Sequence, residues 1–289
     1  MKTNINRRAR RGFTLIELLV GVVIFAIIGA LFTQLIITQG RFYDKQGMAN
    51  AARNVSRASL NRVISDFRMI EATGGVAAAT STSLTIRVPY AIGIDCGDDG
   101  AGTSHLTLLP VDSTTYAQAG FYGYAWRNPF TGAYTYVEGG TTEATGDPAI
   151  CTAQAVTSVK NGKVVKVSPA LPAGGASGLG TPVFLYSMVR YEFKASTAIP
   201  GKIGLYRTKI APGGGEQSEE LVAPFANTAK WKFFTLNGGS VAQDSPGDLK
   251  SLRGLELHFD GTSETIAATK LAPENAPFTT AVFFKNRTN

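Results

Sequence analysis

Two helical patterns follow one another at the start of the chain. Residues 13–37, FTLIELLVGVVIFAIIGALFTQLII, contain an unbroken apolar run from Leu18 to Phe32. As a helix, these 25 residues reach roughly 37 Å at ~1.5 Å each, more than a hydrocarbon core of about 30 Å. The pattern predicts a membrane segment. Beyond it, apolar or small residues recur at Ala52, Ser56, Leu60, Val63, Phe67 and Ile70, a stripe on one helical face. No proline precedes Pro89, so a single helix is predicted from about Phe13 to Arg68, its second half an amphipathic stem over 38–70. Gly40 and Gly47 each weaken the helix by about 1 kcal/mol relative to alanine, which predicts a bend or local melting there.

After Glu71-Ala72-Thr73-Gly74-Gly75 the pattern becomes strand-like. β-rich runs are predicted at Leu84 to Tyr90, Lys163 to Val167, Val183 to Phe193, Lys202 to Thr208, Trp231 to Leu236, Leu252 to Phe259 and Thr279 to Phe284. Leu255, Leu257 and Phe259 alternate with Glu256, His258 and Asp260, the mark of a sheet with one face buried. The expected fold class is α+β: a long helix packed on a mainly antiparallel β head that occupies 71–289. Within it, residues 91–162 read as a Gly, Thr and Tyr-rich insertion. Eight aromatic residues crowd between Tyr116 and Tyr136. Tyr122, Tyr124 and Trp126 are taken as a candidate partner surface, with packed β-structure as the alternative.

Charge sharpens this division. The 289 residues carry a net +7, which would prompt a nucleic-acid reading if it were spread over a surface. It is not. Lys2, Arg7, Arg8, Arg10 and Arg11 give the first twelve residues +5, residues 41–68 add +4, Glu17 subtracts one, and residues 69–289 sum to −1. Arg127 is the sole cation between Tyr90 and Lys160, so direct electrostatic capture of nucleic acid by the insertion is not expected. Arg53, Arg57, Arg62 and Arg68 read as a solvated stem face, or else as contacts to anionic lipid or acidic neighbours.

Arginines before the apolar run and none within it predict a cytoplasmic start and a head on the far side of the membrane. A cleaved secretory signal is the alternative, but no A-x-A-like site follows the run. Glu17, at its leading edge, is hard to explain as simple anchoring because a carboxylate in lipid needs a cationic partner. No cation lies between Phe13 and Gln39.

Arg11-Gly12-Phe13-Thr14-Leu15-Ile16-Glu17-Leu18, with the basic leader and apolar run around it, resembles the cleavage and methylation signature of type IV pilin and pseudopilin precursors. The resemblance implies removal of residues 1–12 by a membrane prepilin peptidase cutting between Gly12 and Phe13, and N-methylation of Phe13. It implies that Glu17 pairs with the amino terminus of a neighbouring subunit as helices bundle, and that an inner-membrane assembly platform and other pilins or pseudopilins are partners. Many relatives have a proline about twenty residues into the mature helix; this chain has Phe32-Thr33-Gln34 there. Gly204-Leu205-Tyr206-Arg207, Leu252 to Phe259 and Thr280 to Arg287 resemble the strand order of larger, PilW-like minor pilins and J-type pseudopilins. The implied function is a structural minor subunit of a pilus or pseudopilus. A filament-presented adhesin or DNA receptor and a type II secretion pseudopilin are the alternatives.

Cys96 and Cys151 are the two cysteines, and on the predicted topology both face a disulfide-permissive compartment, so a bridge is expected. Asp95, Asp98 and Asp99 before Gly100 offer clustered oxygens, read as an acidic turn rather than a calcium site because the spacing is not that of an EF-hand. His105 and His258 lack metal-ligand spacing. No nucleophile elbow, C-x-x-C or phosphate loop is present, and Gly174 to Gly180 reads as a linker. No catalytic residue, metal or cofactor is expected.

Overall fold

A computed structural model describes residues 14–71, 73–117, 120–156, 159–172, 178–236, 241–266 and 272–284. Helix α1 runs from Leu15 to Arg68, about 81 Å at ~1.5 Å per residue. It passes through Gly40 and Gly47 without a break in helical structure, so the local melting expected there does not occur. Its buried residues are Ala52, Ser56, Ser59, Val63 and Phe67, the predicted stripe with Ser59 added. Leu60 packs half-buried beside it and Ile70 continues it past the helix end.

The head strands are β1 (Val76–Ala79), β2 (Ser83–Asp98), β3 (Ser104–Leu108), β4 (Gly123–Arg127), β5 (Tyr134–Glu138), β6 (Thr141–Glu143), β7 (Val164–Ser168), β8 (Pro182–Ala195), β9 (Ile203–Ile210), β10 (Glu216–Phe225), β11 (Lys230–Thr235), β12 (Leu252–His258), β13 (Gly261–Thr262), β14 (Asn275–Ala276) and β15 (Thr279–Phe283). Two short helices, α2 (Pro110–Thr115) and α3 (Pro148–Ala153), both start on proline, whose fixed φ suits the first helical turn. A twelve-stranded sheet has the path β14-β13-β10-β9-β8-β2-β3-β7-β6, with β1 on β2 and the β4–β5 hairpin on β8. A second sheet is β11-β12-β15. Every pairing is antiparallel.

The main core lies where the stem meets both sheets. Val63, Phe67 and Ile70 pack with Leu84, Ile86, Val189, Tyr191 and Leu205 of the large sheet and with Trp231, Leu255, Leu257 and Phe259 on and beside the small one. The Phe67 ring stands edge-on to Tyr191 at 5.4 Å and to Trp231 at 5.6 Å, geometries that add to the area buried. The predicted alternation on β12 holds: Leu255 and Leu257 are buried while Glu256 and His258 are half-buried.

The stretch 91–162 holds the end of β2, then β3 to β6 and the two short helices. β2 continues through Pro89 and a register shift to Asp98, pairing with β8 from Ser83 to Ile94 and with β3 from Gly93 onward. The far halves of β2 and β8, joined by β3, β7 and β4, enclose a second core of Ala91, Leu106, Leu108, Tyr124, Trp126, Val165, Val167, Val183 and Leu185.

Candidate functional site

The helix start is fixed by its own sequence. Thr14 is the N-cap, in extended conformation at φ −76° and ψ 149°. Its hydroxyl oxygen accepts from the Glu17 backbone N–H at 3.3 Å, and the Thr14 N–H and hydroxyl donate to Glu17 Oε2 at 2.9 and 3.1 Å. This is a capping box, T-x-x-E, which satisfies two donors that the first turn of a helix otherwise leaves unpaired. Glu17 therefore also sits where the helix dipole favours a negative charge. Sequence reading picked out Glu17 and missed Thr14, although a Thr three residues before a Glu, ahead of an apolar run, was the available signal. Gly12 and Phe13, the expected cleavage and methylation positions, lie outside the described residues.

From Leu18 to Phe32 the helix is apolar on all sides. It is long and apolar enough to cross a membrane by length and composition, and none of its most apolar stretch is buried within the chain. Leu15, Ile16, Leu18, Phe25, Leu31 and Phe32 are all exposed. A helix hydrophobic around its whole circumference is stable only where lipid or other protein surrounds it.

Residues 7–33 match the family model described as the prokaryotic N-terminal methylation motif. The chain carries the type IV prepilin-type signature. Comparisons with curated proteins and with solved structures gave no match. The matched residues extend into α1, and the antiparallel head that follows gives the chain a pilin-like α+β architecture. Signature and apolar helix together fit a membrane-anchored protein with its head outside.

In the head, Cys96 on β2 is bonded to Cys151 on α3, with the Cα atoms 4.6 Å apart. Both residues are buried and close a small apolar cluster with Val164. The nearby aspartates are spent on their own loop. Asp95 Oδ1 accepts from the Gly97 N–H at 3.0 Å, Asp98 Oδ1 from the Gly100 N–H, and Asp99 from the Ala101 and Thr103 N–H groups and the Thr103 hydroxyl. Burial raises the Asp95 carboxyl above its usual range, whereas the Thr103 hydroxyl and the Ala101 N–H hold Asp99 well below it. Among the described residues no group of three or more His, Cys, Asp or Glu side chains is arranged to hold a metal.

The aromatic cluster requires a correction. Tyr124 and Trp126 are 0% and 4% exposed, and their rings stack at 6.0 Å inside the second core. The Tyr124 hydroxyl donates to the Pro169 carbonyl, and burial, reinforced by Asp95, pushes the phenol up to about 12. Tyr122 is half-buried against Tyr186. Tyr124 and Trp126 are packing residues, because β4 is covered on both faces, whereas Tyr122, just before the strand, keeps part of its surface. His105 is buried, its Nδ1 accepting the Asp147 N–H at 3.1 Å, while His258 lies in the small sheet beside Glu256. The two histidines do not converge.

Proposed function

We propose that the chain is a noncatalytic structural subunit of a type IV pilus or related pseudopilus. In this reading prepilin peptidase cuts between Gly12 and Phe13, Phe13 is methylated, and α1 packs against the helices of neighbouring pilins while the head lies outside. Removal of the five leader cations leaves a net charge of +2. The observation that carries the reading is the coincidence of the signature at residues 7–33 with a helix whose apolar surface has no partner among the described residues of its own chain. Glu17 supplies the selectivity: a carboxylate moved into an apolar helix bundle is penalised alone and stabilised beside an ammonium, such as the new terminus of an adjacent subunit.

The size of the head, with its second core and disulfide, favours a minor or tip-associated position over the repeating one. Burial of Tyr124 and Trp126 weighs against the binding-module alternative, which keeps Tyr122 of the three residues assigned to it. Mass and N-terminal sequencing of the protein recovered from membranes test the maturation step, with N-methylated Phe13 as the expected first residue. Co-purification with sheared filaments tests assembly. A protein that keeps its first twelve residues and never enters filaments is a tethered head only, and the proposal fails.

A further inference from the structure

We propose that Arg41, Phe42, Tyr43 and Lys45 form a collar that docks in the anionic headgroup layer of the outer leaflet and sets the depth of α1 before assembly. This rests on the membrane-resident state proposed above and concerns the stem between bilayer and head.

The argument begins with lengths. Leu18 to Ile37 are 20 residues, about 30 Å of helix, which matches the hydrocarbon thickness. Seating that run in the bilayer puts Glu17 at the inner boundary and Thr38-Gln39-Gly40 at the outer one. Arg41 then stands roughly 6 Å and Lys45 roughly 12 Å above Ile37 along the axis, within the headgroup region that their flexible stems can reach. Contact with the head begins higher up, with Met48 and Ala49 half-buried and Ala52 the first buried residue. The intervening turns therefore face nothing among the described residues of their own chain.

Their chemistry matches that position. Phe42 and Tyr43 are 56% and 69% exposed, with ring centroids 6.3 Å apart. The amphipathic ring of Tyr43 is of the kind that gathers at membrane interfaces, with the apolar ring of Phe42 beside it. Arg41 and Lys45 lie four residues apart on one helix face, where like charges repel, and among the described residues neither makes an ion pair. Asp44 leaves the segment at a net +1. Anionic headgroups relieve the repulsion that the fold leaves standing. The same arithmetic excludes Arg53 and Arg57, which stand about 24 and 30 Å above Ile37, beyond the headgroups and beside the head.

One consequence concerns Glu17. At the inner boundary its carboxylate remains near water in the resident state, so the penalty that demands a cation arises when the subunit is drawn into a filament.

The test uses the full chain recovered from membranes and reconstituted into nanodiscs of phosphatidylcholine with or without phosphatidylglycerol. A single spin label is placed through Gln39→Cys or Gly47→Cys; the native cysteines are bonded to each other and leave only the introduced thiol. Depth by paramagnetic relaxation should place the Gln39 position at the hydrocarbon boundary and the Gly47 position in water. Arg41→Gln/Lys45→Gln should let the Gln39 position sink by about half a turn, ~3 Å, in the phosphatidylglycerol discs. About 1 M salt, with a Debye length near 3 Å, should do the same to the unmodified collar, and Arg53→Gln/Arg57→Gln should change nothing. Equal shifts from the two double variants overturn the proposal, as does a depth indifferent to phosphatidylglycerol. A collar that is water-accessible in discs and immobilised only in filaments is a subunit contact, which also overturns it. Because the measurement needs no assembly, a chain that seats as described but never enters filaments sinks the pilus reading and leaves the collar intact.

Discussion

Tyr191 donates its hydroxyl to Asp66 Oδ2 at 2.6 Å, joining the last turn of the stem to the middle of the large sheet across 125 positions of sequence. Arg207 completes the junction: its Nε donates to the Tyr191 oxygen at 3.2 Å and its Nη2 to the same Asp66 oxygen at 3.2 Å. Burial is the main influence raising the Tyr191 phenol well above its usual range, with the Asp66 charge adding to it. The phenol therefore remains a donor at all physiological pH values. Tyr191→Phe should lower the stability of the head by about 1 kcal/mol through the lost hydrogen bond. Asp66→Ala should cost more, about 2 kcal/mol, because it strands a partly buried guanidinium. Denaturant unfolding of the full chain in detergent measures both; equal losses would mean that Arg207 finds water as readily as it finds Asp66.

The second seam between stem and head has no room at all. A Cβ on Gly261 would stand 2.2 Å from the Ala52 carbonyl oxygen and 2.6 Å from Ser56 Oγ, and the Gly261 N–H donates to Ser56 Oγ at 3.0 Å. Gly261→Ala should therefore push the stem off the sheet and destabilise by roughly 2–3 kcal/mol, the range of overpacked cores. Gly215→Ala is the control, since its nearest neighbour would be the Ala211 Cβ at 3.7 Å. Limited proteolysis around residues 48–68 reports the displacement, with faster cleavage expected only for the Gly261 variant.

The Cys96–Cys151 bond closes a loop with a sequence separation of 55. In the chain-entropy picture that constraint is worth about 4 kcal/mol at most, with the strain-free limit as the upper bound. Cys96→Ser/Cys151→Ser should lower the unfolding midpoint of the β2–β3–β7 region. Trp126, inside the adjacent core, provides the fluorescence signal if Trp231 is replaced by Phe. A double variant as stable as the parent would show that the packing of Val164 around the pair, and not the covalent link, holds this end of the sheet.

Acid should loosen the β8–β9 turn before the rest of the head. Desolvation pushes the Glu220 carboxyl upward, but donors from Ser196, Thr197, Tyr206 and the Ala198 N–H outweigh it and hold it at about 2. A carboxylate depressed in the folded state contributes stability that is complete above its unfolded value, near 4.5, and is lost as pH falls from there toward about 2. Glu220→Gln should flatten the loss of stability between those limits while lowering it at neutral pH. Unfolding midpoints at neutral pH and at several values through that window decide it; a slope unchanged by the substitution would transfer the acid sensitivity to other carboxylates.

Much of this architecture was legible because periodicity reports burial on one face. The stem stripe from Ala52 to Phe67 and the alternation on β12 both face a core on one side and solvent on the other. Where a strand is covered on both faces the signal vanishes: in β4, Gly123, Tyr124, Ala125 and Trp126 are all buried, so the run presents itself as an aromatic cluster and invites a binding reading. β10 escaped notice for the opposite reason. Its first residues, Glu216 to Glu219, are exposed and are held by pairing with β9, information that lies in the partner strand and not in the segment itself. The Cys96–Cys151 pairing needed only the count of two. Thr14 was readable in principle, but attention to the charge of Glu17 hid its second role as a cap.

That double role of Glu17 can be separated experimentally. Thr14→Val removes the hydroxyl from the capping box and should weaken the first turn by about 1 kcal/mol, while leaving the carboxylate and the Thr14-position N–H in place. Glu17→Ala removes the charge and the carboxylate half of the box, while the Thr14 hydroxyl still accepts the backbone N–H of residue 17. If docking between helices depends on the carboxylate meeting a neighbour's ammonium, Glu17→Ala should be cleaved normally yet recovered almost entirely in membranes, and Thr14→Val should enter filaments with at most a severalfold loss. Equal loss in the two variants would instead mean that an ordered first turn is what assembly requires, with the acid contributing mainly as its cap. The ratio of filament-bound to membrane-bound protein, read for both variants alongside the identity of the first residue, separates the two.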